Sequence, residues 1–399
     1  MSLLKSRFIE MFGNVATNNK RWEKTKLGNK SVIGSSKRIF ANEYTTEGIP
    51  FYRSKEIIEL GMGEKPSVEL YISKKRYQEI KEKFGIPIPG DILMTAVGTI
   101  GKFWIVPNSK PFYYKDGNLV YIRTKEFNPL FLKKLLEMLI EKYKVENANG
   151  SAYTALTIEK LKDLQIVLPP MTLQKQYEEF HIQIDKSKFL LQQILEKFEL
   201  LKKSRFIELI GNIQNPKYQL VELNEICEFI KDGTHQTPIY TEDRVNGFKF
   251  LSSKDVTSQK INWSNIKYIP KELHEQLYAK LSPKRGDILL AKNGTTGVAA
   301  VVDSDEIFDI YVSLALLRPK SGVNVSYLCS ALNSEDLKRQ FNSSLKGIGV
   351  PNLHLREIKK ARIIFPPIDI QNKISSITKQ IDKSKLIIQK ALEDLVGKV

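Results

Sequence analysis

Apolar residues return every three and four positions from Pro169 to Asn212, in the stretch PPMTLQKQYEEFHIQIDKSKFLLQQILEKFELLKKSRFIELIGN. With Tyr177 at heptad position a, the seam runs Tyr177, Phe180, Ile184, Ser187, Leu191, Ile194, Phe198 and Leu201. That narrow stripe predicts a long amphipathic helix of the coiled-coil kind. It opens behind Pro169-Pro170 with Thr172 as its cap, and Gly211 stops it. Spanning 172–210, it would be about 57 Å long.

The same pattern returns from Pro366, which stands 197 positions after Pro169. The second seam is Ile374, Ile377, Ile381, Ser384, Ile388, Ala391 and Leu395, and the string Gln-Ile-Asp-Lys-Ser-Lys occurs whole in both copies. A small serine at the same d position in each suggests a fixed register between two facing helices. The second copy ends early, and its missing portion stands at the other end of the chain. Lys5-Ser-Arg-Phe-Ile-Glu-Met-Phe-Gly-Asn14 matches Lys203-Ser-Arg-Phe-Ile-Glu-Leu-Ile-Gly-Asn212. The repeat therefore runs around a circle cut inside one helix. Residues 1–14 are a helical fragment that completes the second spacer helix.

Between the helices, 15–168 and 213–365 read as two strand-rich regions with the same order of elements. Gly90-Asp-Ile-Leu-Met and Gly286-Asp-Ile-Leu-Leu each open a strand, glycine turn, strand hairpin. Leu119–Arg123 and Ser313–Arg318 are matching strands, and Asn128-Pro129 and Val325 open matching helices, the latter running to Gln340. The framework agrees between halves, but the loops do not: Ser35-Ser-Lys-Arg-Ile-Phe stands against Asp232-Gly-Thr-His-Gln-Thr-Pro-Ile-Tyr. The expected fold is α+β, with two similar strand-rich domains related by pseudo-twofold symmetry and separated by two long helices, 169–212 and 366–399, that form an antiparallel coiled coil.

Charge narrows the partner. Sixty-two Lys and Arg against 45 Asp and Glu leave a net charge of +17, which favours a polyanion. Two divergent heads on a rigid spacer, about one B-DNA turn or 34 Å apart, suit a two-part DNA site. Only two cysteines and four histidines are present, too few for a disulfide scaffold or a Cys/His zinc module. No apolar run approaches membrane-spanning length, and Lys5, Arg7 and Glu10 do not suit a signal peptide. A cytoplasmic protein is expected.

No catalytic set emerges. Gly98-Thr-Ile-Gly-Lys102 has two residues between its glycines where a P-loop has four, and Phe103 where Ser or Thr is required. Pro169-Pro170 and Pro366-Pro367 lack the Asn and aromatic neighbours of an amino-methyltransferase motif. Asp91 and Asp287 read as turn carboxylates, and His235 has no partner at metal-ligand spacing. No metal is expected.

The ordered set of Pro-Pro-x-x-x-Gln openings (Pro169–Gln174 and Pro366–Gln371), paired Gly-Asp-Ile-Leu hairpins and Asp232-Gly-Thr-His-Gln-Thr-Pro-Ile-Tyr resembles the specificity subunit of a type I restriction–modification system, over essentially the whole chain. The resemblance implies that each strand-rich region is a target recognition domain reading half of a bipartite, asymmetric site in double-stranded DNA. The helices would set the spacing and dock two methyltransferase subunits, through which restriction subunits join. The chain itself would be non-catalytic, with S-adenosylmethionine, ATP and magnesium held in partner subunits of an adenine-N6 methyltransferase and restriction complex. Candidate DNA contacts are the polar loop residues that differ between halves: Ser36, Lys37, Arg38, Arg53, Lys55, Thr99 and Lys102 in the first, and Lys231, Thr234, His235, Thr237, Lys254, Lys292, Asn293 and Thr295 in the second. Lys55 and Lys254 hold matching positions, and Asn293 suits a bidentate contact to adenine. The competing reading is a non-catalytic coiled-coil adaptor, or a DNA-binding protein acting outside restriction–modification.

Overall fold

The computed structural model describes residues 3–15, 17–107, 110–146, 155–294, 296–344 and 352–396. They divide into two compact units, one of 1–191 with 390–399 and one of 192–389. Each begins or ends inside a long helix.

In the first unit, helix α1 (Leu3–Phe12) precedes strands β1 (Lys24–Lys26), β2 (Val32–Gly34), β3 (Ile92–Thr95), β4 (Phe103–Ile105) and β5 (Leu119–Arg123), then helix α2 (Pro129–Glu146) and strand β6 (Gln165–Val167). The chain then enters α3 (Met171–Ile210). The helix starts one residue ahead of the expected Thr172 cap, with the amides of Leu173 and Gln174 donating to the Pro170 carbonyl. The main sheet has the order β2-β5-β3-β4, all antiparallel. Strand β3 is buried at every residue. Its Ile92 and Met94 enter the core beneath α2, and Leu93 enters a separate core on the other face. An uninterrupted apolar run is what a strand covered on both faces requires.

The second unit repeats this frame. Strands β7 (Leu220–Glu222), β8 (Cys227–Asp232), β9 (Ile288–Ala291), β10 (Ala299–Val301) and β11 (Leu314–Pro319) are followed by helices α4 (Val325–Leu332) and α5 (Glu335–Ser344), strand β12 (Arg362–Ile364) and helix α6 (Ile368–Val396). The sheet order β8-β11-β9-β10 matches that of the first unit. One expected helix, 325–340, is two. Asn333 ends α4 by turning its amide onto Ala299, accepting from its N–H at 3.1 Å and donating to its carbonyl at 2.9 Å. Ser334 Oγ then accepts the Leu337 amide at the start of α5.

Helix α1 packs in the first unit as the end of α3 packs in the second. In the first unit Phe8 and Phe12 of α1 are fully buried against Tyr177 and Phe131, with ring centroids 4.6 to 5.8 Å apart. In the second, Phe206 and Ile210 from the end of α3 join the core with Tyr327, Leu328 and Ile374. Phe8 matches Phe206, and Tyr177 matches Ile374. A separate stretch of chain thus fills in one unit the place that α3 fills in the other.

Within the second unit α3 and α6 run antiparallel, with Glu199 on Lys385 and Lys202 on Asp382. The expected seam holds best at the start of each long helix. Tyr177, Ile184, Ile374 and Ile381 are buried, and Phe180, Leu191, Phe198, Ile377, Ile388 and Leu395 are partly buried. Ile194 and Leu201 depart from expectation and are 38% and 42% exposed. A straight helix drifts about 20° per heptad against a 3.5-residue repeat. From Phe198 the less exposed row therefore passes through Lys202 and Phe206 to buried Ile210, and Leu201 turns outward.

Candidate nucleic-acid interface

Both units build their variable loops on the same internal braces. Asp91, the residue before β3, accepts the Ile88 amide and takes Arg123 from β5 in a fork of two 2.7 Å bonds. Asp287 does the same with the Lys284 amide and Arg318, at 2.7 and 2.8 Å. In each unit the second arginine amine also donates to a loop carbonyl, Ile86 or Ser282. These are structural carboxylates, as the sequence suggested. Glycines 98, 101, 294 and 297 of the hairpin turns all take positive φ between 72° and 84°, the turn geometry that glycine permits.

A second brace explains the Pro-Pro-x-x-x-Gln motif. Gln174 is buried; its oxygen accepts the Asn128 amide and its nitrogen donates to the Pro169 carbonyl, both at 2.9 Å. Gln371 repeats this with Asn324 and Pro366 at 2.9 and 2.8 Å. The glutamine ties the start of each long helix to the capping residue of the helix that closes the domain. The motif is a structural joint.

On this frame the first unit's loop leaves β2 with neutral contacts. Ser35 Oγ donates to the Leu119 carbonyl at 3.1 Å, and the Lys37 amide donates to the Tyr113 hydroxyl at 2.7 Å. The Lys37 ammonium lies 5.0 Å over the Phe84 ring. Ser36 and Lys37 border a cavity of about 270 Å³ with Phe84, Tyr113, Tyr121 and Arg123. Burial pushes the Tyr113 and Tyr114 phenols above their usual range. Arg38 pairs with Asp116 at 2.8 Å, and that carboxylate raises the guanidinium's pKa. Arg53 is held by buried Glu56 at 2.7 Å and by Glu69 at 2.8 Å, and Lys55 approaches Glu69 at 3.4 Å. Hydrogen bonds from Arg53 and then Lys55 hold the Glu69 carboxyl below its usual value. Thr99 and Lys102 are exposed on the hairpin.

The second unit's loop is anchored by charge. Lys292, expected as a DNA contact, is instead 4% exposed, with its ammonium on Asp232 at the end of β8. A buried, paired ammonium offers nothing to a phosphate. His235 is exposed, its Nε2 3.6 Å from the same carboxylate. Thr234 is fixed through its backbone to Ile310 and Val312 at 3.0 and 2.9 Å, and its Oγ1 accepts the Gln236 amide. Asn293 bridges Asn352, and its amide oxygen is buried with no partner among the described residues; the side chain must turn outward to meet an adenine edge. Lys231 is exposed, 5.1 Å over the Phe229 ring. Thr237 and Lys254 are exposed, and Thr295 lies outside the described residues. Lys254 and Lys55 do share a setting: each lies in a helical turn whose acidic residue, Asp255 or Glu56, reaches back to the preceding amide.

The structure thus gathers 35–38 with 113–116, Arg53 and Lys55 around Glu69, and 232–235 with Lys292 and Asn293. The partners Asp232, Tyr113, Asp116 and Glu69 were not singled out from sequence. Asp232 alone carried a signal, as the first residue of a motif that differs between halves.

Comparison with known proteins agrees with this geometry. The model of the type I restriction modification DNA specificity domain matches twice, over 19–200 and 215–396. A Haemophilus influenzae protein assigned as a type I restriction enzyme specificity subunit is 32% identical over 180 residues, 45% of this chain and 40% of that one. The EcoBI specificity subunit of Escherichia coli is 24% identical over 63% of this chain and 59% of its own. The matched stretches thus span about half the length of these relatives. A solved structure described as the basis of complex assembly and conformational transition of the type I R-M system superposes with a TM-score of 0.63 at 18% identity, covering 94% of both chains. With two matched copies filling nearly all of its length, the chain belongs to the family of type I restriction modification DNA specificity domains.

Proposed function

We propose that the chain is the sequence-reading, non-catalytic subunit of a type I restriction–modification complex, each strand-rich domain reading one half of a bipartite DNA site. The observation that carries this reading is the repetition of one braced frame with different polar loops on it. Identical frames with identical loops would read one sequence twice; different loops read an asymmetric site. The excess of 17 positive charges supports a phosphate backbone as the common ligand.

The long helices supply the remaining role. Ile182, Phe189 and Leu190 in the first unit, and Leu200, Ile207, Leu386 and Ile387 in the second, are all more than 40% exposed. Large apolar residues left exposed along a helix suit a protein interface. Methyltransferase subunits are the partners proposed for it, bringing S-adenosylmethionine; restriction subunits would join through them with ATP and magnesium. The helices would then also set the gap between the half-sites.

The test is domain exchange. The chain is co-expressed with its methyltransferase, and methylated adenines are mapped by single-molecule sequencing, before and after residues 15–168 are replaced by the matching region of a relative. One half of a two-part motif should change and the other should stay. A change in both halves, or methylation without a bipartite motif, would overturn the reading.

A further inference from the structure

Among the described residues the buried ion pair of the second unit has no counterpart in the first, and it stands directly behind the loop proposed to read DNA. Val32 pairs with Arg123 and Phe229 with Arg318, so Ser35 occupies the place of Asp232. Gly90 and Gly286 open the matching hairpins, so Ala96 occupies the place of Lys292. One unit has a neutral joint there and the other a charged one.

Both ends of the charged joint are rigid. Gly233 leaves β8 so close to the neighbouring chain that a Cβ would lie 2.2 Å from the Ile310 carbonyl oxygen, so the loop cannot move inward. The Lys292 amide donates to the Ser313 carbonyl at 2.8 Å, and its carbonyl accepts the Leu353 amide at 3.1 Å. Ser313 Oγ in turn accepts the amide of Ser253, beside Lys254. The Lys292 backbone is thus held from two segments, and its ammonium is set against one oxygen of Asp232, while His235 faces the other. Desolvating such a pair gains little stability over an apolar pair of the same shape; what it can supply is a unique geometry. The side chains it orients are His235, Gln236 and Thr237, all exposed.

Resting on the reading of this domain as a half-site reader, we propose that Asp232 and Lys292 are positioning residues that set base discrimination in the half-site read by the second unit. They touch no base. They hold the loop that does, and they tie its placement to the Lys254 turn through Ser313.

The test uses the whole complex with methyltransferase, comparing the mapped methylation of the wild type with Lys292→Met, Asp232→Asn and Lys292→Arg. Domain exchange first identifies which half belongs to the second unit. Lys292→Met and Asp232→Asn should lose discrimination tenfold or more at positions in that half, leave the other half sharp, and still assemble. Lys292→Arg keeps the charge and should restore most of the discrimination. Should Lys292→Met fail to assemble, the near-isosteric Asp232→Asn gives the answer. Unchanged discrimination in both substitutions, or equal loss in both halves, would overturn the proposal. A wild-type complex with no bipartite motif would instead overturn the reading beneath it.

Discussion

The two units solve one structural problem with the same internal parts and a second problem with different ones. Inside, the correspondence is close: Asp91 with Arg123 against Asp287 with Arg318, and Gln174 against Gln371, with bond lengths agreeing within 0.1 Å. At the rim the joints differ in kind. Ser35, Lys37 and Tyr113 join the first loop through neutral hydrogen bonds, with charge only in the exposed Arg38 on Asp116, whereas Asp232 and Lys292 join the second through buried charge. The frame sets where a loop stands, and the joint sets which contacts hold it. Two domains can therefore diverge in their loops while keeping one frame.

The sharpest way to break the comparison is at the aromatic cluster. Phe8 is fully buried among Phe12, Phe131 and Tyr177, while its counterpart Phe206 is only half-buried against Tyr327. Phe8→Ala should cost about 4 kcal/mol and Phe206→Ala about half that, read from urea unfolding. Equal costs would mean that α1 is no more embedded than the end of α3. The two free cysteines make the readout local, because Cys227 and Cys329 both lie in the second unit. Burial pushes both thiols up to about 12, so at pH 8 they label only when that unit opens. Phe8→Ala should leave their labelling rate in dilute buffer unchanged, and Phe206→Ala should raise it.

Much of this architecture was legible in the sequence because it is written in periodicity and repetition. A stripe recurring every 3.5 residues, a hairpin recurring 196 positions on, and a helix-end decapeptide displaced to the N-terminus each imply geometry with no knowledge of contacts. The joints were not legible. Lys292 follows an apolar strand in a loop with glycines, a setting that suggests exposure, and only the long-range approach of Asp232 buries it. Arg53 and Arg38 likewise read as free cations, but Glu69 and Asp116 face them from 16 and 78 residues away. Leu201 was misplaced for a different reason, since a heptad template takes no account of the gradual rotation of a straight helix.

The glutamine joints give an intermediate effect and ask whether the braces are equivalent. Gln174→Leu would take the partner from a buried asparagine amide and a proline carbonyl, and Gln371→Leu from a half-buried asparagine amide and a proline carbonyl. Each loss should cost about 3 kcal/mol, measured by the shift in urea midpoint at constant slope. The Gln371 variant should also expose the thiols of its unit, and the Gln174 variant should not. A large difference between the two costs would show that one long helix is anchored mainly by other contacts.

The smallest effect belongs to the helix pair, where surface charge replaces buried apolar contact. Burial alone would push the Glu199 carboxyl up. The hydrogen bond and charge of Lys385, with Lys202 and Lys203, outweigh it and hold the group below its usual value. A carboxyl depressed in the folded state contributes stability above its unfolded pKa, and that contribution is lost as pH falls through the folded value. Glu199 keeps 46% of its side chain in solvent and Lys385 keeps 21%, so screening limits the pair to about 0.5 kcal/mol. Lys385→Met should therefore destabilise the second unit by that amount at pH 7, less in 1 M salt. The difference from wild type should fade below the usual carboxylate range, once Glu199 is protonated in both. A difference that persists once Glu199 carries its proton would mean that the lysine acts through its packed methylene stem on α3, and that the α3–α6 contact, like the cores of the two units, is apolar at root.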